Sequence, residues 1–396
     1  MRRLDAAERR WRIGLRHRLA PARAADDVAA VAADLVGLHA SDPASVVLGA
    51  RARVAGFEVG HLERALYEDR AVVRILGMRR TMFVTPVATA GLIHAAVTTD
   101  LLPGERRRLA RWLAETGTAG LRDREAAERW LAELAVETLA ALEALGEATA
   151  TELARRVPGL REQISFGEGK RWGGKVGMST RMLFLLATEG RVVRGKPQGS
   201  WQSSLYRWAP MDRWVDGGLE PWPRDLARTE LVRRWLRSFG PGTLTDVRWW
   251  TGWTKADTAR ALASTGAVEV DLDGATGHVL ADDLEATPEP RPWIALLPAL
   301  DTTTMGWAER GFYLGEHAPH LFDRNGNAGP TVWVAGRVVG GWGQRSSGEV
   351  VVRLLEDPGR EAAAAVEAEA ARLQAWLGAV RIIPRFRTPV EVELGA

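Results

Sequence analysis

No cysteine occurs in the 396 residues, which excludes disulfides, thiolate zinc sites and a catalytic thiol. Lysine is scarce as well: Lys170, Lys175, Lys196 and Lys255 are the four among 53 basic residues. A GC-rich genome, which enriches Arg and Ala throughout, accounts for most of that preference. No apolar run reaches bilayer length, because Arg, Asp or Glu interrupts every candidate. The opening Met1-Arg2-Arg3-Leu4-Asp5 lacks the apolar core of a secretion signal. Together these absences lead to the expectation of a cytoplasmic protein without a membrane partner. What is present is ordinary for a globular chain, with 46% hydrophobic and 26% charged residues. The length accommodates two or three domains.

The net charge of +3 is small, but the charges are unevenly spread. Residues 1–23 hold eight Arg and two acids, and residues 161–213 hold ten basic residues against four acids. Over residues 264–293 the balance reverses, with seven acids opposed by Arg291 alone. Such a distribution can hide a strongly basic face, which a polyanion partner would need.

Hydrophobic spacing organises the chain into repeated units. Val28, Val31, Leu35 and Leu38 recur at helical spacing over 26–40. Further helices are expected over 43–55, where Pro43 suits a first turn, and over 58–67. Two β-rich runs around Gly77, within 72–84, follow as a hairpin. Helices then hairpin is the winged-helix order. Long amphipathic helices are expected at 103–115 and 124–145. The next unit opens on Thr149-Ala150-Thr151-Glu152, a capping-box spacing. It continues through a Gly- and Lys-rich loop at 167–174, an apolar helix at 178–188, and a hairpin over 191–194 and 205–208 whose tip carries Trp201. The third unit is the clearest. A helix ending at Phe239, a Gly240-Pro241-Gly242 turn, capping boxes at Thr243 and Thr254, and a strand from Val268 spell a helix-turn-helix with its wing. Strands at 293–297, 331–334, 338–342 and 350–354 follow, with a turn at Asn325-Gly326-Asn327. A helix at 360–377 and two short strands close the chain.

Gly37-Leu38-His39-Ala40-Ser41-Asp42-Pro43 and Gly49-Ala50-Arg51-Ala52-Arg53 resemble the N-terminal signature of the AlkZ/YcaQ-like winged-helix DNA glycosylase family. So do Arg79-Arg80-Thr81-Met82-Phe83-Val84, Phe239-Gly240-Pro241-Gly242-Thr243 and Trp249-Trp250-Thr251-Gly252. Leu297-Pro298-Ala299-Leu300-Asp301, Arg324-Asn325-Gly326-Asn327 and Gly336-Arg337-Val338-Val339-Gly340 continue the likeness in the same order. The resemblance implies an α+β, C-shaped molecule of three tandem winged-helix domains with a C-terminal β-rich domain around a cationic channel for duplex DNA. The corresponding divisions are 1–100, which carries the catalytic motif, connecting helices at 101–146, winged helices at 147–215 and 225–285, and the β-rich domain with its closing helix at 286–396. The implied activity is removal of bulky N7-alkyl purines, in self-resistance to DNA-damaging antibiotics or in crosslink repair. The implied protein is a nucleoid-associated monomer that uses no cofactor. The family motif is usually Gln-apolar-Gln or Gln-apolar-Asp, whereas the matching positions here are His39-Ala40-Ser41.

Base excision passes through an oxocarbenium-like state. An N7-alkylated guanine is already cationic and leaves without a strong acid. Neutral His39 can orient a water or take its proton, Ser41 can hold that water or a phosphate oxygen, and Asp42 offers charge to the sugar cation. Against these roles, His39 also fits a satisfied structural histidine, and Asp42 a cap for the helix beginning at Pro43. With no lysine beside the motif to form a Schiff base, strand nicking is not expected.

DNA contacts are expected from Arg79 and Arg80 at the first wing, from Lys170, Arg171 and Lys175 in the second unit's loop, and from Lys196, Gln198 and Trp201 at the second wing. Lys255 is a further candidate in the third unit, since phosphate contacts come in clusters. His317-Ala318-Pro319-His320 and Asp282-Asp283-Leu284-Glu285 read as surface loops rather than metal sites. Gly167-Glu168-Gly169-Lys170 lacks the spacing of a phosphate loop. A non-catalytic winged-helix protein, a transcription regulator or an adduct-sequestering factor, is the competing reading. It would bind DNA with steep salt dependence and release no base.

Overall fold

The computed structural model describes residues 1–21, 24–167, 169, 173–382 and 387–395 of a mixed α/β chain. The expected contacts Lys170 and Arg171 lie outside the described residues. No helix among them is long and apolar enough to cross a membrane.

A helix not anticipated from sequence, Ala6–Arg16, comes first, capped by Asp5. Helix Val28–Asp34 is capped by Asp27, whose carboxylate accepts from the Ala30 N–H. It ends well before residue 40, because Leu38–His39 forms a short strand on the edge of a three-stranded antiparallel sheet. That strand pairs with Met82–Pro86, which pairs in turn with Val72–Leu76. Helices Pro43–Arg51 and Val59–Glu63, the latter running into a wider turn at Arg64–Glu68, fill the interval.

The connecting helices are Thr99–Thr116 and Arg124–Leu145, and the second unit follows them. The Thr149 capping box forms, with Thr149 Oγ1 accepting from the Glu152 N–H and Glu152 reaching back to the Thr149 N–H. Helix Met178–Thr188 and the strands Val192–Pro197 and Tyr206–Pro210 complete it. Gln163–Phe166 and Gly174–Gly177 pair antiparallel.

In the third unit, Arg224–Phe239, Leu244–Thr251 and Lys255–Ser264 precede the hairpin Val268–Leu272 and Ala275–Val279. Both Thr243 and Thr254 cap their helices as the sequence indicates.

The chain ends on a four-stranded antiparallel sheet in sequential order, Ile294–Leu297, Thr331–Val334, Arg337–Gln344 and Val350–Leu354. Helix Arg360–Leu377 lies over it, with Val366, Leu373 and Leu377 buried against Leu296, Val339 and Trp342. Where two closing strands were expected, Pro389–Leu394 is a helix. The reason is local: Thr388 and Glu391 form a capping box and Pro389 occupies the first turn.

One apolar cluster joins the first unit, the third unit and the C-terminal sheet, including Ile75, Phe83, Trp235, Trp250 and Trp333. The second unit keeps a core of its own around Leu131, Leu142, Met182 and Leu186. Most of the N-terminal basic run is spent internally. Arg12 and Arg16 both donate to Asp283, and Arg3 pairs with Asp273. Part of the acidic stretch thus neutralises part of the basic one.

Candidate active site

The shared core places the first unit against the segment leading out of the C-terminal sheet's first strand, and a cleft opens between them. The cleft has a cavity volume of about 210 Å³, somewhat below the roughly 300–1,000 Å³ of drug-sized small-molecule sites. His39, Ser41 and Asp42 form one wall with Arg79 and Thr81, and Leu300, Asp323 and Asn327 contribute to the other.

His39 is placed by backbone pairing rather than by a helix. It stands opposite Phe83 in the strand register, and its N–H donates to Thr302 Oγ1 at 2.9 Å. Thr302 passes the link on by donating to the Gly37 carbonyl at 3.1 Å. The imidazole meets the Phe83 ring edge-on at 5.3 Å between centroids. It is only 3% exposed, and its Nδ1 has no hydrogen-bond partner. Burial, with the nearby Arg79 charge adding to it, pushes the imidazole down to about 3. The ring is therefore neutral at physiological pH, and His39 is among the residues lining the cleft, while its unpartnered Nδ1 is itself buried.

Ser41 Oγ accepts from the Met82 N–H at 3.1 Å, which leaves its hydroxyl proton to donate. Asp42 occupies the N-cap position of Pro43–Arg51, but its side chain makes no capping hydrogen bond. Its carboxylate instead accepts from Ser45 Oγ at 3.3 Å. The cap reading of Asp42 thus holds for its backbone and not for its side chain.

Behind this wall lies a buried ion pair. Arg53 donates to both oxygens of Asp301, at 2.7 and 2.9 Å, with both side chains at or below 1% exposure. Arg53 also reaches the Gly49 and His17 carbonyls and Thr303 Oγ1. A Cβ at Gly49 would stand 3.3 Å from the Asp301 carboxylate, tight enough to require a shift.

Arg79 and Arg80 form the tight turn between the hairpin strands, both in the left-handed region at φ +53° and +60°. The conformation costs about 1–2 kcal/mol per non-glycine residue. Arg79 has no carboxylate partner among the described residues. Its guanidinium stacks 3.9 Å above the half-buried Trp249 ring, over which Arg310 also lies at 4.8 Å. Burial, with repulsion from Arg310, lowers Arg79 to about 10 without discharging it. Arg80 pairs with Glu105. Trp250 and Trp253, by contrast, are core residues.

The remaining expected contacts do not enter the cleft. Lys175 is exposed on Gly174–Gly177, and Lys255 is exposed in the first turn of its helix. Lys196 donates to Glu63 at 2.8 Å. Gln198 is exposed. Trp201 does not project from its hairpin; it is half-buried against the apolar cluster of the first unit. The other candidate clusters are engaged elsewhere: His317 Nε2 meets Glu356 at 3.1 Å, and Asp282 and Asp283 accept from arginines.

Asp323, Asn327 and Thr302 were not singled out by sequence, although the turn at Asn325-Gly326-Asn327 was. Nothing in local sequence says that this turn faces residue 39.

A sequence model of the family described as DNA glycosylase AlkZ-like matches residues 32–376. Among solved structures, the Streptomyces sahachiroi DNA glycosylase AlkZ superposes with a TM-score of 0.70 at 23% sequence identity, covering 94% of this chain and 97% of that one. No curated protein matches the chain in sequence.

Proposed function

The chain belongs to the AlkZ-like DNA glycosylase family, and from that premise we propose that its substrate is a bulky N7-alkylated purine in duplex DNA. The activity of the family is base removal, so the chain is a DNA glycosylase. The observation that carries the site assignment is the position of the motif: His39, a neutral imidazole, lines one cleft together with Ser41, Asp42 and Arg79.

Cleavage of the C1′–N9 bond sends the electron pair into the purine, whose existing positive charge is thereby cancelled. The sugar is left as an oxocarbenium ion. A water oxygen then bonds to C1′ and loses its proton to solvent. Held so low in basicity, His39 is a poor proton acceptor and a good hydrogen-bond acceptor, so its role is to aim that water. Ser41 has a hydroxyl proton left to share with the same water or a phosphate oxygen, and Asp42 borders the site with negative charge. Arg79, unpaired with any acid and fixed on Trp249, suits a phosphate beside the extruded nucleotide. No lysine is among the described residues lining the cleft, in keeping with simple hydrolysis without strand nicking.

The three helix-and-hairpin units read as winged helices set in tandem, curved around the DNA. Arg80, Lys170, Arg171, Lys175, Lys196, Gln198 and Lys255 are the outlying contacts of a protein acting as a monomer, and Trp201, packed against the first unit, is not among them. Antibiotic self-resistance or crosslink repair is the setting that fits. The test is incubation with duplex carrying such an adduct, followed by alkaline cleavage of abasic sites. Release is expected from the wild type, and His39→Ala is expected to abolish it with DNA affinity nearly intact. Absence of release across several bulky N7 adducts would reject the substrate assignment.

A further inference from the structure

The other wall of the cleft carries a carboxylate whose fixation goes beyond what its loop requires. Asp323 begins a turn closed by Phe322 and Ala328, which bridge on either side. Its Oδ1 accepts from the N–H groups of Asn325 at 2.8 Å and Asn327 at 2.9 Å. Its Oδ2 accepts from the Asn327 side-chain amide at 3.0 Å. Both oxygens are therefore oriented; Oδ1 has both lone pairs engaged, and Oδ2 retains one. A turn of this kind occurs often on surfaces with its carboxylate in water. Here Asp323 lines the same cleft as His39, Ser41 and Asp42, across from the motif that the family resemblance marks as catalytic. Among the described residues, no cation pairs with Asp323. The nearest wall instead offers neutral His39 and an Arg79 held on Trp249.

We propose that Asp323 is a catalytic residue that faces the sugar and stabilises the oxocarbenium ion as the base departs. The inference rests on the glycosylase reading above and deepens it by assigning the anionic side of the transition state to the C-terminal sheet. Burial alone would raise the carboxyl, but the bonds from Asn327 and Asn325 outweigh it and hold the group below its usual range. It is thus charged at neutral pH. Charge balance follows directly. The positive charge of the alkylated purine passes to the sugar as the C1′–N9 electrons leave with the base. Asp323 compensates it until the C1′–O bond forms and the water's proton departs to solvent. His39 and Asp323 divide the work across the cleft, one aiming the nucleophile and the other bearing the charge.

The experiment uses two abasic-site duplexes, one with a pyrrolidine ring that is cationic at neutral pH and one with neutral tetrahydrofuran. Wild-type protein is expected to bind the cationic duplex about tenfold more tightly or better, the effect of one fixed charge at close range. Asp323→Asn keeps an oxygen for the turn's N–H groups but removes the charge. It is expected to erase the preference, leave tetrahydrofuran affinity unchanged, and slow excision by about 10²–10³-fold. Should that variant fail to fold, Asp323→Ser retains a capping oxygen without charge and serves in its place. The same preference retained in the variant would overturn the proposal, as would equal binding of both duplexes by the wild type. Asp42→Asn, measured alongside, separates the two carboxylates: loss of the preference there and not in Asp323→Asn assigns the charge to Asp42 and overturns the proposal. Because the readout is binding, it stands apart from excision. A protein that prefers the cationic duplex but releases no N7-alkyl purine refutes the substrate reading and leaves Asp323 supported.

Discussion

Two histidines in this chain are folded as neutral rings, and that decides how the protein meets acid. His17 is fully buried and bonded through Nε2 to the Ser238 carbonyl at 3.2 Å and through Nδ1 to Thr303 Oγ1 at 2.8 Å. Burial, with Arg53 beside it, lowers it to about 3, as burial does for His39. In the unfolded chain both rings return to about 6.5. Between those values the unfolded state binds protons that the folded state refuses, so stability rises with pH through the window and is complete above it. Each ring costs roughly 2 kcal/mol at pH 5 relative to pH 7. Thermal denaturation is expected to show Tm falling from pH 7 to pH 5, with a shallower slope in His39→Gln. Excision, for the same reason, is expected to show no inflection near pH 6.5 in a single-turnover rate profile.

At the scale of elements, the hairpin turn at Met78–Arg80 brings Arg79 to the edge of the cleft. Strands Val72–Leu76 and Met82–Pro86 are buried and β-branched, and they hold the turn rigidly. Gly77 and Thr81 close it with a 2.9 Å bond. Two consecutive arginines in left-handed geometry persist because the surroundings fix them. Arg79 lies on Trp249 from another unit and Arg80 against Glu105. Arg79→Ala is expected to weaken duplex binding about equally across sequences and to reduce the slope of log affinity against log salt by about one. Fluorescence anisotropy at several salt concentrations measures it, and an unchanged slope would remove Arg79 from the phosphate contacts. Thr149, Thr243 and Thr254 show why element starts were legible. Each cap depends on residues within three positions, so sequence spacing suffices. The same logic was available at Thr388-Pro389-Val390-Glu391, and the strand expectation there yields to a capping box.

At the scale of the molecule, the Arg53–Asp301 pair fastens the first unit to the C-terminal sheet directly behind His39. Removing one partner leaves the other charge buried without compensation, at a cost of about 3–5 kcal/mol. Asp301→Asn is therefore expected to lower the urea midpoint substantially, and a double replacement by apolar residues to lower it less. A midpoint unchanged in Asp301→Asn would mean the pair is not part of the fastening. Because Thr302 next to Asp301 holds the His39 N–H, the single variant should also lose excision out of proportion to its folded fraction. The apparent excess of N-terminal arginine resolves at this scale too. Glu8, Asp273 and Asp283 take up Arg2, Arg3, Arg12 and Arg16, so charge read along the chain misjudged which arginines are free.

Sequence alone determined the elements whose causes lie within a few residues: the caps, the turns, the amphipathic helices and the helix-then-hairpin order. It also pointed to His39, Ser41 and Asp42, since a motif is contiguous by definition. The tertiary structure decided which distant residues share their cleft. Asp323 lies nearly three hundred positions from His39, and Trp201 turned inward against the first unit rather than outward. Those outcomes depend on how separate apolar faces merge into one core, and that merging fixes side-chain neighbours which no local spacing encodes.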